Sequence, residues 1–458
     1  MNDAQLRTAR RARRPRLTGV VAAAALATAT VCTATVVPAR AGTPAQTGSA
    51  TGQSPAGAYV GDQVIVGYRP GTSPARLAAL ERAAGASRGR MLGRRAMLLD
   101  VGKGRVQTAI AALHTRGAVE YAEPNYVMHE SATPDDPGFP VQWGLENTGQ
   151  LVNGSRGRRS GADISATSAW NVTTTTGPVV IGEVDSGIDY HHPDLVANIW
   201  SNPGGIGGCP AGTHGYSVVT RTCDPMDNNR HGTFVAGIMG ASGNNGTGVA
   251  GVAWHTTMLP VQFVHAQGWG SVGQLIQALD WIVAAKRAGV DVDVVNDSAV
   301  WSGWSYSQAL SDELAKLADN GVLFVTAAGN NHSDNDNTPR YPCDYGASNE
   351  ICVAALTQWD KLPYFSNYGA KTVDLAAPGK NIYSTLPGGS YGYWNGTSFS
   401  TAYVSGAAGL IAGHCPSLSV TRLRADILGH VDVLSALTGK VATGGQLDLD
   451  KALRACGS

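Results

Sequence analysis

Four residues of types that can do acyl chemistry stand far apart in this 458-residue chain. Ser398 lies in NGTSFSTAYVSG, His231 opens HGTFVAGIMG, Asp185 ends the apolar run GPVVIGEVD, and Asn330 closes VTAAGN. A serine at neutral pH is a poor nucleophile and needs a base within hydrogen-bond reach. A histidine supplies that base, and a buried aspartate fixes its tautomer and stabilises the imidazolium. A side-chain amide can donate to the oxyanion that forms on an attacked carbonyl. Singly each has an ordinary reading. Aspartate after a strand forms turns, His-Gly starts a helix, Asn in AAGN suits a left-handed turn, and Gly-Thr-Ser caps a helix. Together, in the order Asp, His, Ser, they match one of the chain orders in which such a triad recurs.

The elements around these residues suit that task. GPVVIGEVDSG, VDVDVVNDSAV and GVLFVTAAGN are strand-like runs that end in polar residues, and SVGQLIQALDWIVAAKRAG and YSQALSDELAKLADNG read as helices between them. Strand and helix in alternation predict an α/β domain, a three-layer, mostly parallel doubly wound sheet from about Val141 onward. In such sheets the polar residues just past the strand ends line the ligand crevice, which is where Asp185 and Asn330 fall. Ser398 at a helix start places unpaired N–H groups, its own included, beside a reacting carbonyl. Gly406, Ala407, Ala408 and Gly409 let other elements approach that helix closely.

A different pattern precedes this domain. Residues 58–130 run strand (DQVIVGY), helix (SPARLAALERAAGA), short strand (near RGRML), strand (RAMLLDV), helix (RVQTAIAALHTRG) and strand (VEYAEPNYV), which predicts a small α+β ferredoxin-like unit. Residues 131–140, SATPDDPGFP, read as a linker, as do residues 42–57, rich in Gly, Pro, Ser and Thr. Residues 1–41 read as a signal peptide: arginines from Arg7 to Arg16, the apolar stretch VVAAAALATATVCTATVV, and an A-x-A-like site at Ala39–Ala41. A membrane anchor is the rival reading, but threonines and alanines dilute the run. The expected product is secreted, extracellular and free of membrane after signal cleavage.

Charge and cysteine use narrow the function further. Lys plus Arg equals Asp plus Glu at 34 each, so no basic excess points to nucleic acid. Of seven cysteines, Cys32 leaves with the leader, and an even number in an exported chain reads as disulfides. Sequence proximity suggests Cys209 with Cys223, Cys343 with Cys352 and Cys415 with Cys456, and the sequence leaves the other connectivities open.

At this point a family resemblance is carried by named motifs. VDSGIDYHHPDL, RHGTFVAG, AAGN and GTSFSTAYVSG resemble, in order, the catalytic-Asp, HGTHVAG, oxyanion-hole and GTSMATPHVSG motifs of the subtilisin-like serine proteases (subtilases, peptidase family S8). QWGLENTGQ and GKVATGGQLDLDKAL are similar to the two ends of that domain, so the resemblance covers about 141–456. It implies a secreted serine endopeptidase acting on protein or peptide substrates, with Asp185, His231 and Ser398 as the triad and Asn330 as oxyanion donor. Residues 58–130 resemble an inhibitor I9-type propeptide, implying a self-processing precursor whose own propeptide acts as intramolecular inhibitor. Maturation is expected between Tyr126 and Pro137, and a monomer is expected.

The resemblance also marks departures. Arg230 precedes His231 where the family has glycine, Phe234 replaces the second histidine, and Ser400, Ala402 and Tyr403 stand where alanine, proline and histidine are common. Glu183 lies inside the strand before Asp185, an unusual place for an acid in a doubly covered sheet. Substrate-binding roles are expected for Ser298 and Gly329, and for Arg340, which aligns near the floor of the family's S1 pocket and would favour acidic P1 residues. The substrate is expected to bind as an added strand. No cofactor is needed for the chemistry. A structural calcium is open, with Asp194 as candidate ligand, and His191 and His192 lack the HExxH spacing that zinc would call for. Two rivals remain: a catalytically impaired subtilase-fold binding protein, against which the four intact groups argue, and an esterase or lipase, which would need G-x-S-x-G and a different order.

Overall fold

The computed structural model describes residues 59–126, 132–156, 161–299 and 305–456. The expected leader and the 42–57 linker lie outside the described residues, as do residues 127–131 of the expected maturation segment and residues 300–304 after Ser298.

In the first unit, strands Tyr59–Tyr68, Arg88–Leu92, Ala96–Asp100 and Val119–Tyr126 alternate with helices Pro74–Ala84 and Val106–His114. The sheet places the Tyr59–Tyr68 strand between the third and fourth, all neighbours antiparallel, which is the ferredoxin-like order. Val64 and Val66, two residues apart and so on one face, pack with Leu80 and Leu113 of the helices. That single shared face is why strands here alternate, whereas those of the larger domain do not.

The larger domain is built on a nine-stranded sheet. Its central strands, in spatial order, are Leu375–Pro378, Glu350–Leu356, Leu323–Ala327, Val292–Asp297, Thr175–Asp185 and His255–Gln262. All of these pair in parallel. Short strands close the edges, and the one antiparallel pairing in the sheet joins Asp432–Val433 to Gly445–Gln446. Both faces are covered, so the strands read as continuous apolar runs. Leu323 and Val325 face one layer and Phe324 the other. Helices Val272–Arg287 and Gln308–Asp319 cover the Phe324 side. Helices His231–Gly240 and Thr397–His414 cover the opposite side.

The Thr397–His414 helix is buried from Thr397 to Ala412. A helix apolar or small on every side has no solvent face to offer and must run through a core. Here it lies across the central strands, and its first turn is set down at their C-terminal ends. The structure joins Cys209 to Cys223, Cys343 to Cys352 and Cys415 to Cys456, the pairs that sequence proximity suggests. Among the described residues no helix is long and apolar enough to cross a membrane.

Candidate active site

Asp185 is the last residue of its strand, and its carboxylate is buried. The His231 Nδ1–H donates to it, at 2.8 Å from Oδ1 and 2.9 Å from Oδ2. The Ser186 N–H also donates to Oδ1 at 2.6 Å, so the carboxylate is held from its own turn. Ser186 does a second job: its hydroxyl donates to Asp227 at 2.9 Å and accepts the Gly232 N–H at 3.0 Å. Asp227 further accepts the N–H groups of Asn229, Arg230 and Thr233 and the Thr233 hydroxyl. This network ties the start of the His231 helix to the end of the Asp185 strand. The sequence reading missed Ser186 and Asp227, although Asp227, lying just ahead of the helix, carries the signature of a helix-start acceptor.

Burial opposes a charged His231 ring, but attraction to Asp185, the hydrogen bond to it and the field of Asp227 together leave its pKa raised above 6.5. Trp394 meets the ring edge-on at 5.7 Å and Phe399 lies 5.9 Å away. Phe234, where the family has its second histidine, packs on Phe399 at 4.6 Å and on Trp394 at 5.7 Å. The substitution thus extends an aromatic wall behind the candidate base.

Ser398 is the second residue of its helix rather than the cap. Gly396 occupies the cap position with no side-chain bond. The Ser398 N–H therefore belongs to the first-turn donors that have no intrahelical acceptor. The Ser398 hydroxyl donates to the Ser298 carbonyl at 2.9 Å, and the Ser298 hydroxyl donates to the Ser398 carbonyl at 2.9 Å. Handing the hydroxyl proton to His231 therefore requires the Ser398 hydroxyl to turn away from Ser298.

Asn330 Oδ1 accepts the Thr397 N–H at 2.9 Å and the Thr397 hydroxyl at 3.2 Å. A backbone N–H can only donate, so the carboxamide oxygen is committed there and the NH2 is left for the cleft. Thr397 thus positions the candidate oxyanion donor, and motif reading did not single it out. Gly329, at φ 109°, donates its N–H to the Thr397 hydroxyl and accepts the Asn367 N–H. It shapes the turn that presents Asn330.

Asp185, His231, Ser298, Asn330 and Ser398 line one cleft of about 980 Å³, with Arg230, Trp269 and Trp394 on its walls. Gly329 and Arg340 are not among its lining residues. The Arg340 backbone N–H donates to the Asp344 carboxylate in a local turn. The cleft guanidinium is that of Arg230.

Asp194 is fully buried, and burial pushes its pKa up to about 6 against the bonds it accepts from Val249 N–H and Asn245 Nδ2. Both oxygens are thereby engaged in holding the 242–251 loop, and among the described residues no group of three or more His, Cys, Asp or Glu side chains could hold a metal. No step of the chemistry is routed through a cation. His192 is equally committed: Nδ1 accepts the Asp194 N–H, and Nε2 lies 3.2 Å from the Ser390 carbonyl.

Residues 177–443 match the Subtilase family, and residues 45–125 match the Fervidolysin N-terminal prodomain. The chain belongs to the subtilase family. Among curated relatives, this subtilase is 34% identical over 358 residues to the thermophilic serine proteinase of Bacillus sp. (strain AK1), covering 78% of this chain and 79% of that one. It is 31% identical to subtilisin E of Bacillus subtilis (strain 168) over 319 residues, 69% and 71% of the two chains. Among solved structures it is similar to a protease from Pseudoalteromonas arctica PAMC 21717, at 25% identity and a TM-score of 0.60, over 71% of this chain and all of that one. A cold-adapted subtilisin-like serine proteinase matches at 26% identity and a TM-score of 0.54, over 68% of this chain and 98% of that one. This subtilase is accordingly a subtilisin-like serine endopeptidase preceded by a prodomain.

Proposed function

We propose that the chain is a secreted, self-processing precursor of an endopeptidase that cleaves peptide bonds through an acyl-enzyme on Ser398. Ser398 attacks the scissile carbonyl. His231 takes its proton and returns it to the leaving amine, while Asp185 holds the Nδ1–H tautomer. Asn330 Nδ2 and the Ser398 N–H receive the oxyanion. The observation that carries this reading is the Asp185–His231 pair, hydrogen-bonded at 2.8 Å, opening onto the same cleft as Ser398 and Asn330.

The precursor layout is part of the proposal. Residues 1–41 direct export, 42–57 link, 58–130 fold as the inhibitory propeptide, 131–140 hold the maturation segment and 141–458 form the enzyme, a monomer that needs no cofactor for its chemistry. The ferredoxin-like fold of 59–126 and its prodomain match support the inhibitor role. Expression of wild type and Ser398→Ala tests the whole. Wild type is expected to release its propeptide and hydrolyse casein, and Ser398→Ala to do neither. Identical processing of both proteins, or no hydrolysis by either, sinks the reading.

A further inference from the structure

The wall beside His231 carries a positive charge in an unusual backbone setting. Arg230 adopts φ 93° and ψ −15°, the left-handed region that glycine enters freely and other residues avoid. Strain of this kind persists where the surroundings enforce it, and it gathers at functional sites. The enforcement is visible: the Arg230 N–H donates to Asp227 Oδ1 at 2.9 Å. The side chain lies against an aromatic ring, its guanidinium carbon 5.0 Å from the Trp394 ring centroid.

Among the described residues no carboxylate forms an ion pair with Arg230. Asp227, its nearest neighbour by hydrogen bonding, is already saturated by main-chain and hydroxyl donors. The other ionisable groups lining the described cleft, Asp185 and His231, are paired with each other. Residues 300–304, Val-Trp-Ser-Gly-Trp, bring no charge by sequence.

We propose that Arg230 is a specificity-determining residue that selects peptides with an acidic side chain flanking the scissile bond. The proposal rests on the endopeptidase reading above. A guanidinium lying over an aromatic ring keeps its N–H edge free, and that edge matches a carboxylate with two parallel hydrogen bonds. A lysine or arginine in the same substrate position meets the like charge and is disfavoured. Glycine at this position would relax the backbone and forfeit the contact.

The test compares kcat/KM for matched peptides that carry Glu or Gln at each position flanking the scissile bond. Wild type is expected to prefer Glu at one flanking position by about tenfold, the scale of one charge-assisted hydrogen bond in a half-open cleft. High salt should shrink that ratio. Arg230→Gln should bring it to about one, and Arg230→Lys should keep a smaller preference. A wild-type ratio near one at every position, or a preference that survives in Arg230→Gln, overturns the proposal. Should Arg230→Gln not fold, wild type decides, because a preference indifferent to salt overturns it equally. Failure of the endopeptidase reading looks different: wild type and Ser398→Ala would then leave every peptide uncut.

Discussion

The His231 ring is poised by a contest between burial and the Asp185 carboxylate, and the carboxylate side wins. In the proposed mechanism the neutral ring is the base, and because its pKa is raised, activity should fail as pH drops through a value above 6.5. A kcat/KM profile is expected to show its acid limb there. Asp185→Asn should move that limb down and lower kcat by about 10⁴-fold, since the wrong tautomer then faces Ser398. Asn330→Ala should cost about 10²- to 10³-fold in turnover, a magnitude taken from a subtilisin's own oxyanion asparagine. Glu183 poses the opposite problem. It is 1% exposed, neither carboxyl oxygen has a hydrogen-bond partner, and burial, then Asp185 and Asp227, hold its pKa well above 4.5. An acid whose folded pKa is raised binds its proton more tightly when folded, so stability is lost as pH climbs past its unfolded value. Glu183→Gln is therefore expected to unfold at a higher temperature than wild type at alkaline pH and at a similar one near pH 4. Equal melting shifts at both pH values would show that folding does not raise the Glu183 pKa.

At the scale of elements, the site depends on how closely the His231 helix docks on the Asp185 turn. A Cβ on Gly232 would lie 2.1 Å from the Gly187 carbonyl oxygen. Gly232→Ala should force the helix outward, with a loss of about 1–3 kcal/mol in denaturant titration and a fall in kcat. Thr397→Val should loosen Asn330 by one hydrogen bond and cost about fivefold in turnover, less than Asn330→Ala. Much of this architecture was legible in the chain. The strands ending at Asp185, Asp297 and Ala327 announce themselves because a doubly covered strand is apolar throughout. Both long helices over the Phe324 face follow from their spacing. Strands His255–Gln262, Glu350–Leu356 and Leu375–Pro378 and the hairpin Ile382–Leu386 with Ser390–Trp394 were not singled out. Except for Glu350–Leu356, their runs are short or interrupted by threonine, proline or serine, and only pairing with neighbours selects them. Arg230 shows the same limit at a site. It is an arginine just ahead of a helix, and its place on the cleft wall depends on a backbone angle and on Trp394, an aromatic ring distant in sequence.

Across the whole molecule, stability is shared between a large core and three covalent closures. The loops closed by Cys343–Cys352, Cys209–Cys223 and Cys415–Cys456 span 9, 14 and 41 residues. Loop-closure entropy assigns them about 2.6, 3 and 4 kcal/mol. Paired Cys→Ser variants are therefore expected to lose stability in that order, the 415/456 pair most, as read by urea midpoints. A reversed order would mean that the loops are already ordered in the unfolded chain. The aromatic wall behind His231 adds a consequence of another kind. The family's GTSMATPHVSG motif puts a methionine directly after the nucleophile, and a thioether there takes up oxygen and turns into a polar sulfoxide. This chain has Phe399 instead, backed by Phe234 and Trp394. None of the described residues lining the cleft carries sulfur for dilute peroxide to attack, so turnover should persist under bleaching conditions that silence a Phe399→Met variant.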